Sequence, residues 1–177
     1  LQWLSEFAAK RLTSLPRTFL AAKPSHRPVI GFDASTTGGG AWLSLDGNDT
    51  IDRYVSVLWS VDDERLLGAK CHDAGSQAIW EAFAMLLAVC TWASLLPEGD
   101  TQLLLRGDAQ GVLQGVLARR SRCPSINLIV AETQLVLGVG MYDLFAAHVW
   151  SEKNGLVDDL SRLGEGKALP EACLSST

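Results

Sequence analysis

Four acidic side chains stand in apolar surroundings. Asp33 closes the run Val29-Ile30-Gly31-Phe32, Glu81 is the only charge between Gln77 and Leu96, Asp108 follows Leu103-Leu104-Leu105, and Asp158 opens a short helical stretch behind a strand-like one. An ionised carboxylate taken out of water has to be paired, bound to a metal or protonated. Singly, each has an ordinary explanation: Asp33 and Asp108 can cap turns, Glu81 can sit at the mouth of a helix, and Asp158 can favour a helix dipole. Together they suit a cation site. If the first and fourth strands are adjacent and parallel, their ends lie about 4.8 Å apart, so Asp33 and Asp108 can share one ion. Glu81, one turn into a helix packed across that sheet, can close the same cleft. Four carboxylates with no His or Cys cluster favour hard cations, Mg²⁺ or Mn²⁺, over zinc. Two such ions about 4 Å apart would activate a water and stabilise the leaving oxygen in phosphodiester hydrolysis.

The elements that must hold these residues follow from periodicity and turn chemistry. Residues 29–33 form a compact apolar run of strand type, Gly38, Gly39 and Gly40 are expected to turn the chain, and a second strand over 41–45 ends at the Asp46-Gly47 turn signal. With a third strand over 53–59, the opening is an antiparallel meander. A long helix is expected over 76–96, a fourth strand over 101–106 ending at Gly107-Asp108, and helical spacing over 109–117. Beyond a basic loop and Pro124 come a helix over 125–137, closed by Gly138 and Gly140, a fifth strand over 142–150 and a last helix over 155–163. The order is β-β-β-α-β-α-α-β-α, an α/β arrangement without internal repeat. Ahead of it, Trp3, Leu4, Phe7, Ala8, Leu12 and Leu15 keep helical spacing up to Pro16. The chain therefore divides into an N-terminal helix and linker (1–28), a domain (29–164) and a tail rich in Gly, Pro and Ser that is expected to be flexible (165–177).

With 177 residues, 47% hydrophobic and 20% charged, the composition is that of one ordinary globular domain. The net charge of −5 gives no global attraction to nucleic acid, so phosphate binding must come from a local cluster such as Arg119, Arg120 and Arg122. Cys71, Cys90, Cys123 and Cys173 form no CxxC pair and are expected as reduced thiols in an intracellular protein, cytoplasmic or nuclear. Residues 78–96 approach the length of a bilayer span. The strands on either side offer a core in which to bury that stretch, so a central helix is expected and no membrane. Glu6, Lys10 and Arg11 argue against an N-terminal signal, and a start at leucine suggests a piece of something longer. No Gly-Lys-Ser/Thr follows the triple glycine, so it is no nucleotide-binding loop, and no small-molecule cofactor is expected.

The stretch Asp33-Ala34-Ser35-Thr36-Thr37-Gly38-Gly39-Gly40-Ala41 resembles the opening motif of the ribonuclease H (RNase H) domain of retrotransposon reverse transcriptases. Glu81-Ala82-Phe83-Ala84 is similar to that family's acidic helix motif, and Gly107-Asp108-Ala109 to its strand-end aspartate. The most specific match runs from His148 to Arg162, with Asn154, Asp158 and Leu160-Ser161-Arg162 in the spacing of the Ty3/gypsy and DIRS-like ending. Four motifs in the right order, spanning roughly residues 29–163, imply an RNase H-like fold, a five-stranded mixed sheet flanked by helices. They imply an endonuclease that hydrolyses the RNA strand of RNA/DNA hybrids with two Mg²⁺ or Mn²⁺ ions. Its metal-holding catalytic residues would be Asp33, Glu81, Asp108 and Asp158, and its partner the polymerase domain of the same polyprotein, with residues 1–28 as the end of a reverse transcriptase connection. The hybrid would be told from DNA by 2′-hydroxyl contacts. The same register makes Asp158 the ligand and leaves Asp159 as a surface residue for Arg162 or Lys167.

Some positions depart from that pattern. Trp150-Ser151 replaces Pro-Gly, Ala109 a frequent asparagine and Gly39 a frequent tryptophan, and none of these removes a carboxylate. The basic helix of other RNase H enzymes is missing, which leaves Arg119, Arg120 and Arg122 as the hybrid-binding cations. The loop 151–154 has no histidine, so product release falls to Lys153 or bulk water, and His148 reads as structural. The main rival is an inactive RNase H-like connection or interaction domain. A dead site would gain stability by losing its crowded carboxylates, and all four are retained. An actin-like ATPase needs a second lobe, and a proofreading exonuclease needs an acid where Ser35 stands.

Overall fold

A computed structural model of the chain describes residues 26–97, 101–140 and 142–174; the amphipathic segment expected ahead of the domain falls on residues 1–25, outside them. The first strand, β1 (Val29–Ala34), is buried along its whole length, as an apolar run flanked by structure on both faces requires. It pairs antiparallel with β2 (Gly38–Ser44), which pairs antiparallel with β3 (Arg53–Leu58). On its other side β1 runs parallel to β4 (Gln102–Gly107), and β4 parallel to β5 (Asp143–His148), giving one mixed sheet in the order β3-β2-β1-β4-β5.

Alternation along the strands sorts the side chains into two cores. Ile30, Phe32, Leu43, Leu103 and Leu105 meet a helical layer, whose central member is α2 (Gln77–Trp92) with Trp80, Ala82, Met85, Ala88 and Val89 buried. The helices α3 (Gln110–Ala118) and α4 (Pro124–Gly140) pack beside it. Val29 and Trp42, on the opposite face, meet α5 (Gly155–Ser161) through Val157 and Leu160. The stretch Ala74–Trp92 is long and apolar enough to cross a membrane, yet half of its apolar window is buried inside the domain, where a central helix was expected.

Several elements differ from the sequence reading. Gly38, Gly39 and Gly40 are not a turn but the start of β2, with every residue of that strand buried. The reason is close approach: a Cβ at Gly40 would lie 2.5 Å from the Ser161 amide nitrogen and 2.6 Å from Leu160 Cβ, so α5 can lie on the strand only where no side chain intervenes. The chain turns instead at Ser35–Thr37, where Ser35 Oγ accepts from the Thr37 and Gly38 amides. A short helix, α1 (Val61–Leu67), was not anticipated; Ser60 caps it in a reciprocal box with Asp63, and Gly68 ends it in the left-handed region at φ 64°. Finally, the tail holds one more helical turn, α6 (Glu171–Leu174), whose Cys173 is buried in the second core, so apolar burial orders it where periodicity was too short to read. The long helix also stops earlier than expected, at Trp92, and β5 at His148.

Candidate metal centre

The parallel pairing of β1 with β4 and the crossing of α2 bring three carboxylates together. One oxygen each from Asp33, Glu81 and Asp108 lies within 4.8 Å of the others. Asp33 and Glu81 are buried and Asp108 is half-buried, so the cluster opens to solvent on the Asp108 side. Asp33 projects from the end of β1 to the face covered by α5. There its Oδ2 accepts from Ser161 Oγ at 3.2 Å and its Oδ1 from Asn154 Nδ2 at 3.4 Å, both donors being buried. Glu81 arrives from the helical layer, with Oε1 accepting from Gln77 Nε2 at 2.9 Å. Its other oxygen, Oε2, is buried without a hydrogen-bond partner. Asp108 Oδ2 accepts from Ser151 Oγ at 2.8 Å.

Crowding and burial decide the charge state of this cluster. Loss of water pushes the Asp33 carboxyl from 3.8 up to about 7, reinforced by the charges of Asp108 and Asp158 and opposed by the Ser161 hydrogen bond. Glu81 is pushed from 4.5 up to about 9, again mainly by burial, with Asp33 adding to it and the Gln77 hydrogen bond opposing it. A cation would relieve both effects. The orphaned Glu81 Oε2, beside two further carboxylates, fits a hard divalent ion with oxygen ligands; no soft sulfur or imidazole belongs to the cluster.

The other sequence-derived residues fall in different places. Asp158 sits in the first turn of α5, near enough for its charge to act on Asp33, but its carboxylate lies outside the three-oxygen group and accepts from Arg162 Nε at 2.8 Å. Asp159 pairs at 2.9 Å with Lys167, one of the two partners expected for it. Arg120 and Arg122 line a groove of about 490 Å³ with Gly111, Gln114, Gly115 and Ser121, while Arg119 ends α3 in the left-handed region at φ 58°. Lys153 is exposed on the loop after β5 and borders a second cleft with Trp42, Arg106 and Asn154. None of the four cysteines is joined in a disulfide.

The residues that sequence reasoning missed are the donors behind the acids: Gln77, Ser151, Asn154 and Ser161. A signal existed for three of them. Gln77 precedes Glu81 by one helical turn, the spacing at which side chains meet, and Asn154 and Ser161 are fixed letters of the ending motif. Ser151 gave none, because its link to Asp108 spans 43 residues.

No protein-family model matches the chain, and no curated protein matches it. Among solved structures it is similar to RNase H1 of the halophilic archaeon Halobacterium salinarum, with 20% identity and a TM-score of 0.58 over 80% of this chain and 99% of that one. It is similar also to LC11-RNase H1 in complex with an RNA/DNA hybrid, at 14% identity and a TM-score of 0.59 over 75% of this chain and 92% of that one. A foamy viral protease-reverse transcriptase in complex with RNA/DNA hybrid matches at 16% identity and a TM-score of 0.50; the match covers 94% of this chain and 26% of that one. At such identities the likeness is one of fold, and the chain has an RNase H-like fold, a five-stranded mixed sheet with flanking helices.

Proposed function

We propose that the chain is a metal-dependent ribonuclease H that cleaves the RNA strand of RNA/DNA hybrids. The observation that carries this reading is the convergence of Asp33, Glu81 and Asp108 from three separate elements, with Glu81 Oε2 buried and unpartnered, in an RNase H-like fold. Asp33, Glu81 and Asp108 would hold divalent ions, Mg²⁺ or Mn²⁺, and Asp158 would complete the set. Bound there, two such ions supply an activated water and stabilisation of the leaving oxygen. The protein's own part is orientation. Ser161 and Asn154 aim Asp33, Gln77 aims Glu81, and Ser151 holds Asp108 at the open side, where a phosphodiester can enter.

Hybrid binding in complexes of LC11-RNase H1 and of the foamy viral enzyme supports the same substrate class for this chain. Arg119, Arg120 and Arg122 are the phosphate contacts of this reading, and Lys153 assists product release. The ending motif His148 to Arg162 supports a source in a Ty3/gypsy or DIRS-like reverse transcriptase, with a polymerase domain as partner and the cytoplasm or nucleus as the place of action. Residues 29–164 would be the catalytic domain and residues 1–28 the end of a connection. The test is selectivity. Purified chain given labelled hybrid, single-stranded RNA and duplex DNA in Mg²⁺ should cut only the RNA of the hybrid, and equal cutting of duplex DNA would refute the assignment.

A further inference from the structure

Asp158 stands beside the cluster without joining it. Its charge reaches Asp33, yet its Oδ1 is taken by Arg162 Nε at 2.8 Å, and the guanidinium is drawn from the far side by Glu165, 3.7 Å from Nη1. Glu165 is itself fixed by the hydroxyl of Thr37, in the turn that directly follows β1. The charged side chains acting on Arg162 are Asp158, Glu165 and, at longer range, Asp33 and Lys167; the last is paired with Asp159 at 2.9 Å and its charge also reaches Asp158.

The backbone under this arrangement has little freedom. The Ser161 carbonyl accepts from Ser35 Oγ at 3.1 Å and the Leu160 carbonyl from Ser56 Oγ at 2.7 Å, while Leu160 is packed against Gly40. These contacts hold the C-terminal end of α5 on the sheet, so the smallest change that brings Asp158 to the other carboxylates is a rotation of its side chain. That rotation has to break the Arg162 contact. Both partners are more than a third exposed, at 40% and 38%, and pairs of that kind are weak enough to exchange.

We propose that Arg162 is a positioning residue that latches Asp158 out of the carboxylate cluster, so that the fourth carboxylate joins only when a second divalent ion outcompetes the guanidinium. The inference rests on the metal reading above and adds that Arg162 sets the affinity of the weaker ion, by competing for its ligand.

The test is a Mn²⁺ titration of metal-free protein, followed by calorimetry and by electron paramagnetic resonance of free Mn²⁺, in four forms: the unaltered chain, Arg162→Gln, Asp158→Asn and the double variant. Arg162→Gln should bind the weaker ion several-fold more tightly, and Arg162→Lys, which keeps the charge, should stay close to the unaltered chain. Asp158→Asn should weaken or remove that ion and spare the tighter one. In the Asp158→Asn background Arg162→Gln should change nothing. If the gain survives there, Arg162 acts on Asp33 through bulk charge and the latch is refuted; no gain in Arg162→Gln refutes it as well. Should Arg162→Gln fail to fold, Arg162→Met replaces it under the same criteria. If the unaltered chain binds no Mn²⁺, or Asp33→Asn binds it equally well, the metal reading itself fails and the latch falls with it, a pattern distinct from failure of the latch alone.

Discussion

Gln77 and Glu81 stand one turn apart on α2, and the amide of the first fixes the carboxyl of the second: Gln77 Nε2 donates to Glu81 Oε1 and also to the Ala34 carbonyl at the end of β1. One side chain thus ties the helix to the strand that carries Asp33. It leaves Glu81 Oε2 buried with nothing to accept from. Without a cation, the least costly state of such a group is the protonated one.

A pH dependence of stability follows. Asp33 and Glu81 move from 3.8 and 4.5 to about 7 and about 9 on folding, so between those limits the folded chain binds more protons than the unfolded one. Stability contributed by these raised groups is present below their unfolded values and is lost as pH rises through the folded ones. In EDTA the melting temperature should fall across this window, and fall less in Glu81→Gln. Mg²⁺ added at the alkaline end should restore it. A flat profile that Glu81→Gln leaves unchanged would contradict the buried protonated pair.

Asp108→Asn should lower turnover by at least about a hundredfold, the scale of losing one group that stabilises transition-state charge. Thermal stability in metal-free buffer should be preserved or raised, because one of several crowded negative charges is removed while Ser151 keeps a partner for its hydroxyl. A drop of several degrees in melting temperature would mark Asp108 as structural.

Gly40→Ala places a methyl group 2.5 Å from the Ser161 amide nitrogen and should push α5 from the sheet. The expected loss is about 1–3 kcal/mol in urea unfolding, the usual range for overpacking a filled site. Because Ser161 and Asn154 orient Asp33, metal affinity should fall with it. Unchanged stability and unchanged affinity would show that α5 tolerates displacement.

Replacing Arg119, Arg120 and Arg122 together by neutral residues should weaken hybrid binding. The slope of log affinity against log salt should become shallower by about 0.7–0.9 for each phosphate that is no longer neutralised. The same slope in the triple variant would exclude this loop from the interface.

How far the sequence foretold the site depended on the range of the interactions involved. Asp33, Glu81 and Asp108 were legible because each breaks an apolar run, whereas the β1–β4 pairing that joins them entered as a condition, because β2 and β3 intervene in the chain and local pattern does not say which edge β4 joins. The triple glycine misled, since glycine serves both turns and close backbone approach, and only the packing of α5 on Gly40 distinguishes them. Helix α1 was missed although Ser60 and Asp63 spell a capping box, because its seven residues are too few for periodicity to register. The pairing of Asp158 with Arg162 was least accessible: the motif register assigned Asp158 to the metal and Asp159 to Arg162 or Lys167, whereas in the folded chain Arg162 pairs with Asp158 and Lys167 with Asp159.

The most direct test of a carboxylate-held metal nuclease is the cleavage rate of the RNA strand in a labelled RNA/DNA hybrid, measured with Mg²⁺, with Mn²⁺ and with EDTA, for the unaltered chain and for Asp33→Asn. Cleavage in either metal, none in EDTA and none by Asp33→Asn is the expected result. Cleavage that survives EDTA, or that Asp33→Asn carries out at the unaltered rate, would contradict the account.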